Sequence, residues 1–150
     1  MTDECFKAKQ WLRRVYVITK RVESNDRMLE VLKDRVNSAT AKYENTGEGI
    51  DREQAQKRRE DALYDYIEQQ GKCDRSRRLL AKETRKVKKV IKKIDDEVLA
   101  DVIEYRYVKL LAWSDVADVI AYSQPQTYRF HARALEKVAR ILREEGRFND

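Results

Sequence analysis

The chain has 150 residues, of which 40% are charged, and it contains only four glycines and one proline. So few helix breakers among abundant Glu, Lys, Arg, Leu and Ala favour an all-α fold. No apolar run approaches the roughly 20 residues of a membrane-spanning helix, so we expect a cytoplasmic protein without a membrane partner. Cys5 and Cys73 are far apart and lack CxxC spacing or a histidine cluster, so neither a zinc site nor a disulfide is predicted.

An apolar residue recurs every three or four positions through the first forty residues. Such a heptad pattern is typical of a long helix that packs along another helix. Its one polar member, Asn25, is a residue type that fixes the register of a helix pair. The pattern comprises Ala8, Trp11, Val15, Ile18, Val22, Asn25, Leu29, Leu32, Val36, Ala39 and Tyr43.

The segment 44–50 concentrates Asn and Gly and predicts a loop between two long helices, the second of which is capped by Asp51 with Gln54. We therefore predict an antiparallel helical hairpin, a coiled coil, over residues 1–94. The same spacing would also suit pairing between two chains, so a homodimer is a second prediction. The second helix carries this spacing at Leu63, Tyr66, Gln70, Cys73, Arg77, Leu80, Thr84, Val87, Ile91 and Ile94.

Positive charge is concentrated in residues 72–93, which contain eleven Lys or Arg and two acidic residues, whereas the whole chain has a net charge of +6. A local basic face suits a polyanion such as DNA, and the plainer alternative is a solvated helix face. We rank nucleic acid above a membrane surface, because the apolar side of this helix continues the heptad pattern. The candidate phosphate-binding residues are Arg85, Lys86, Lys89, Lys93 and Lys109.

Residues 95–150 contain three shorter helical patterns and predict a separate domain. The third helix should begin at Gln124, because Ser123 is a good N-cap and Pro125 falls in the first turn, where no backbone N–H is needed. We expect Trp113 and His131 to be structural residues. For His131, an inward-facing position is favoured over a catalytic base or a metal ligand.

The segment 124–135 also has an outward face that is rich in side chains able to read nucleic acid. Arginine can bind guanine with two hydrogen bonds and glutamine can bind adenine, so this segment resembles the recognition helix of a helix-turn-helix. The plainer alternative is again a solvated face. The candidate base-reading residues are Gln124, Gln126, Tyr128, Arg129 and Arg133.

The run "VIEYRYVKLLAWSDVADVIAYSQPQTYRFHARALEKV" is similar to the promoter-reading fourth region of bacterial sigma factors. The whole chain resembles phage late-transcription regulators of the ArpU/RinA type, in which two long helices and a hinge like "LKDRVNSATAKYENTGEG" precede such a domain. Two residues depart from the pattern, since Ala121 replaces the usual turn glycine and Ala112 replaces a capping Ser or Thr.

This resemblance implies a sequence-specific DNA-binding regulator that activates late packaging, structural or lysis genes of a bacteriophage or prophage. It would act on double-stranded DNA at the nucleoid of the bacterial host, together with RNA polymerase. Two alternatives are a coiled-coil adaptor that binds RNA polymerase or a phage partner, and the DNA-recognition subunit of a packaging enzyme.

An enzyme is the least favoured class. One histidine and two distant cysteines do not make a metal site, and the sequence contains neither a Gly-rich phosphate loop nor a convergent pair of carboxylates. We therefore predict no catalytic residue, no cofactor, no metal and no small-molecule ligand.

Overall fold

The computed structural model describes residues 2–148, and the regular structure within that range is entirely helical, which confirms the all-α prediction. None of these helices is long and apolar enough to cross a lipid bilayer. The fourth α-helix continues directly into a π-helical turn, Glu104–Val108. The α-helices are α1 (Asp3–Leu12), α2 (Arg14–Glu44), α3 (Ile50–Lys92), α4 (Glu97–Ile103), α5 (Trp113–Ile120) and α6 (Gln124–Glu144).

Contacts within the chain divide it into two compact units. The terminal unit combines Met1–Ile18 with Leu80–Asp150, and the hairpin unit is Thr19–Leu79. The predicted boundary between residues 94 and 95 thus falls inside the terminal unit. The physical reason is that α1 packs against α6, so the two ends of the chain share one core.

The core of the terminal unit is built from large apolar side chains. It unites α1, the start of α2, the end of α3, α4 with its π-helical turn, and α6. α6 contributes one continuous buried stripe to this core and packs against α1, α4 and α5, and its opposite face is left to solvent. The buried stripe of α6 consists of Thr127, His131, Ala134, Leu135, Val138, Ala139 and Leu142.

The first long helix has a one-residue interruption at Arg13, between α1 and α2, where the Arg13 N–H still donates to the Lys9 carbonyl oxygen at 3.0 Å. Next to the interruption, the Arg14 Nε donates to the Trp11 carbonyl oxygen at 3.1 Å. The same guanidinium lies over the Trp11 ring, 4.8 Å from its centroid, and pairs with the buried Glu83 carboxylate at 2.6 Å. Burial alone would raise the pKa of Glu83, but hydrogen bonds and charge from Arg14 and Lys86 outweigh it and lower that pKa.

In the hairpin unit, α2 and α3 pair antiparallel within one chain, as the short loop predicts. Near the loop, Arg52 lies over the Tyr43 ring at 4.3 Å. Farther from it, the Gln69 Nε2 donates to the Asn25 carbonyl oxygen at 3.0 Å. Asn25 thus lies beside α3, but the contact uses its backbone oxygen, which any residue would offer, so the register role of its side chain stays a prediction.

The ends of the hairpin loop differ slightly from the prediction. The loop covers residues 45–49, and α3 begins at Ile50, so Asp51 lies in the first turn and is not the cap. Gly49 precedes the helix with φ at 103°, a conformation that favours glycine.

The buried row of α3 also differs from the predicted one. Gln70 and Arg77 are exposed, so their assignment to the seam was wrong. In both cases the buried residue is the one immediately before it in the chain. The buried residues recur every seven positions, but most of them are small or polar, so an apolar pattern does not reveal them. The buried row consists of Ala55, Ala62, Gln69, Ser76, Glu83 and Val90.

Candidate nucleic-acid interface

Three residues, 121–123, connect α5 to α6. Ala121 adopts the left-handed conformation, with φ at 62° and ψ at 43°. The Tyr122 N–H donates to the Ala117 carbonyl oxygen at 3.1 Å, and the Ala121 N–H donates to that of Asp118 at 3.3 Å. This is the Schellman pattern of a helix end, in which glycine is usual. The turn therefore keeps this geometry with alanine in the strained position.

The N-terminus of α6 is capped by side chains of the turn and of its own first residues. The Ser123 Oγ accepts from the Gln126 N–H at 3.3 Å, and the Thr127 hydroxyl donates to the Ser123 carbonyl oxygen at 2.8 Å. Pro125 lies in the first turn. The first acidic residue of the helix is Glu136, so its N-terminal half combines the positive end of the helix dipole with uncompensated arginines.

The candidate base-reading residues are spread over the exposed part of this half of α6. Gln124, Tyr128, Arg129 and Arg133 are exposed, and Gln126 is partly buried. One guanidinium nitrogen of Arg129 donates to the Gln126 Oε1 at 2.9 Å. Two of the five candidates therefore form one hydrogen-bonded pair.

His131 lies on the inner side of the N-terminal half of α6 and packs against two aromatic side chains. The Tyr107 hydroxyl lies 2.7 Å from the His131 Nε2, and the Trp113 ring meets the imidazole edge-on with centroids 4.5 Å apart. Burial, with lesser contributions from the charges of Lys9 and Arg106, lowers the pKa of His131 to about 4. Burial raises the pKa of Tyr107 to about 12, so the tyrosine hydroxyl and the imidazole are both uncharged at neutral pH.

Trp113 connects α5 to both faces of α6. Besides His131, its ring contacts Tyr128 edge-on, with centroids 5.4 Å apart. Trp113 and His131 thus lie where structural residues would lie, behind the exposed face.

The candidate phosphate-binding residues divide into two groups. Lys86 pairs with Glu83 at 3.3 Å, and Lys93 pairs with Glu145. Across residues 2–148, no ion pair involves Arg85, Lys89 or Lys109, and all three are exposed. Arg85, Lys89 and Lys109 are therefore the cations that remain available for a phosphate backbone.

No family model, curated protein or solved structure matches this chain.

Sequence reasoning missed one feature of the terminal unit, a pocket of about 380 Å³ lined by cations and aromatic rings. Its residues come from segments that are about a hundred positions apart, so no local motif marks it. We call it the cation–aromatic pocket, and its lining residues are Lys9, Arg13, Tyr16, Arg106, Tyr107, Leu110 and Trp113.

Proposed function

We propose that this protein is a sequence-specific DNA-binding transcription regulator that places the N-terminal half of α6 in the major groove. The observation that supports this most directly is the exposed, acid-free face of that half, presented after a three-residue turn that follows α5. An α-helix fits the width of the major groove, and a helix-turn-helix presents the start of its second helix to base edges.

The side chains on this face have the chemistry that base reading needs. Arg129 and Arg133 can each donate two hydrogen bonds to guanine, and Gln124 can do the same for adenine with one donor and one acceptor. The hydrogen bond between Arg129 and Gln126 limits the conformations of both side chains before binding. This arrangement supports α6 as the element that selects the sequence.

The unpaired cations would supply affinity that does not depend on sequence. Arg85, Lys89 and Lys109 are exposed in the same unit as α6, and contacts to phosphates release counterions from DNA. The further assignment, activation of late genes of a bacteriophage or prophage together with RNA polymerase, comes from the resemblance of the sequence to ArpU/RinA-type regulators.

The proposal is tested by selecting bound sequences from a random duplex library with the purified full chain. We expect a recurrent motif of a few base pairs. A palindromic motif would support binding as a homodimer, because operator symmetry follows protein symmetry. Recovery of unenriched sequence would contradict base reading.

Arg129→Ala provides a sharper test on the selected site. It should weaken binding by about 1 to 3 kcal/mol and relax the preference at one base pair. Arg140→Ala is the matched control, since Arg140 is exposed on the C-terminal half of the same helix. Lys89→Ala should weaken binding to all sequences alike and reduce the salt dependence. Equal losses on selected and random duplexes for Arg129→Ala would remove its base-reading assignment.

A protein-binding adaptor is the second candidate function. Val119 and Tyr122 are about half exposed, at 52% and 46%, at the end of α5 and in the following turn. Exposed apolar side chains of this kind are typical of a protein contact, here with RNA polymerase or a phage partner. Failure of the library selection, with retained polymerase binding that is lost in Tyr122→Ser, would favour this function.

A further inference from the structure

The cation–aromatic pocket is assembled from three parts of the terminal unit. The end of α1 and the start of α2 contribute Lys9 and Tyr16, and the π-helical turn contributes Arg106 and Tyr107. Trp113, at the start of α5, also lines the pocket. The volume of about 380 Å³ lies within the range of natural small-molecule sites.

The charge in this pocket is unbalanced. Lys9, Arg13 and Arg106 line it, no carboxylate is among the lining residues, and none of the ion pairs formed within residues 2–148 includes these three cations. The unit pairs many of its other cations with carboxylates, namely Lys7, Arg14, Lys86, Lys93, Lys137, Arg143 and Arg147. Cations that converge without a carboxylate make a site for an anion.

In the wall of the pocket, two aromatic rings each lie under an arginine guanidinium. The Arg106 guanidinium lies 4.8 Å from the Trp113 ring centroid, and that of Arg13 lies 5.8 Å from the Tyr16 ring centroid. A guanidinium held against a ring presents its remaining N–H groups in a fixed plane. A planar aromatic ligand can stack on the outer side of such a guanidinium, and the cations of the pocket can bind its negative charge.

The backbone around the pocket is unusual in two ways. Residues 104–108 form a π-helical turn, a form that is rare and often found at functional sites. Leu110, which also lines the pocket, has φ at 59°, a strained value for a leucine. The Arg106 side chain bridges this segment by donating to the Leu111 carbonyl oxygen at 2.9 Å. The strained segment thus positions Arg106 over Trp113.

We propose that the cation–aromatic pocket binds a nucleotide, with the phosphate held by Lys9 and Arg13 and the base stacked on the Arg106 guanidinium that covers Trp113. The ligand class follows from the combination of three unpaired cations with stacking surfaces in one space of about 380 Å³. The nucleotide is either free or part of a single strand, since both present the same phosphate and base.

The test is a titration of the full chain with deoxyadenosine monophosphate, followed by the indole N–H signals in an NMR spectrum. The chain has two tryptophans, and Trp11 is buried in the core, so we expect only the Trp113 signal to move. Deoxyadenosine and inorganic phosphate should each bind at least about fivefold more weakly, because each lacks one half of the recognised group.

Lys9→Gln and Arg13→Gln should each weaken nucleotide binding by about fivefold or more. Lys7→Gln is the matched control, since it removes one charge from the same helix at a residue that does not line the pocket. Thermal melts of all three variants show whether the fold is kept. If Lys7→Gln weakens binding as much as the pocket variants, the attraction is general and the proposal is wrong.

A ten-residue deoxyadenosine strand separates the two sources of the nucleotide. Binding more than about tenfold tighter than the mononucleotide, with the same loss in Arg13→Gln, would identify a strand as the ligand. Equal or weaker binding would identify the free nucleotide. If neither probe moves the Trp113 signal, the proposal is overturned. These measurements contain no duplex, so they succeed or fail independently of the DNA-binding proposal.

Discussion

The terminal unit and the hairpin unit bury different kinds of side chain. In the terminal unit, Leu12, Ile103 and Leu142 have no exposed surface. In the hairpin unit, the buried residues are one leucine together with small or polar side chains. They are Leu32, Ala55, Ala62, Gln69, Cys73 and Ser76.

This difference shows that a long heptad pattern is not a measure of stability. Full burial of a leucine contributes about 1.5 to 3 kcal/mol, whereas alanine and serine remove far less apolar surface from water. The terminal unit therefore holds most of the hydrophobic stabilisation, whereas the hairpin unit buries polar side chains such as Gln69, which donates to the Asn25 carbonyl oxygen. Four predictions test this contrast, and they are ordered by the size of the expected effect.

The largest expected effect is the loss of stability when a core leucine of the terminal unit is replaced by alanine. Leu12→Ala should lower the free energy of unfolding by about 2 to 5 kcal/mol, because Leu12 is fully buried among several helices. Leu32→Ala is the matched substitution in the hairpin unit, and it should cost less, since the hairpin can close around the gap. Urea unfolding of both variants measures the difference, and equal losses would contradict the contrast between the units.

The second prediction concerns acid and the only histidine of the chain. The pKa of His131 is about 4 in the folded protein against an ordinary 6.5, so the unfolded chain binds the extra proton first. Stability is therefore unaffected by this group above pH 6.5 and decreases as the pH falls towards 4. The total loss is about 3 kcal/mol, at about 1.4 kcal/mol for each pKa unit.

Two measurements check this effect. In an NMR titration, the single imidazole should stay neutral down to about pH 5, and stability curves at pH 7 and pH 5 should differ less in His131→Gln than in the natural chain. An imidazole that titrates near 6.5 in the folded protein would show that burial does not have the stated effect.

Local sequence signals predicted the start of α6 and the side of it that is buried. Ser123 and Pro125 mark a helix beginning at Gln124, and the apolar spacing places His131 on the inner face. These features are determined by residues within one or two helical turns of each other, so the local sequence is enough to predict them. The loop at residues 45–49 was predictable for the same reason.

Contacts between distant segments were not predictable in this way. The packing of α1 on α6 joins the two ends of the chain, and the cation–aromatic pocket joins Lys9 to Arg106. An apolar pattern says that a helix face is buried but does not say against which partner. The π-helical turn and the interruption at Arg13 contain no glycine or proline, so no helix breaker in the sequence marks either of them.

The third prediction tests the register of the hairpin unit. Gln69→Leu should raise the free energy of unfolding by about 1 kcal/mol, because burial of a leucine contributes about 1.5 to 3 kcal/mol, whereas the lost Gln69–Asn25 hydrogen bond costs about 0.5 to 1.5 kcal/mol. Gln70→Leu is the matched control, since Gln70 is the exposed neighbour that the sequence pattern had placed in the seam. Stabilisation by Gln70→Leu and not by Gln69→Leu would mean that the register is shifted by one residue.

The smallest expected effect distinguishes the turns of the two units. The hairpin loop has Gly49 at its left-handed position, whereas the α5–α6 turn has Ala121 with φ at 62°. Ala121→Gly relieves the clash of the side chain with its own backbone, which costs about 1 to 2 kcal/mol, and loses part of that gain to the freer unfolded chain. The net stabilisation should be about 0.5 to 1 kcal/mol, measured as a higher melting temperature. Ala132→Gly, on the exposed face of α6, should instead destabilise by about 1 kcal/mol, because a helix interior penalises glycine. If both substitutions lower the melting temperature, Ala121 does not hold the left-handed conformation that defines this turn.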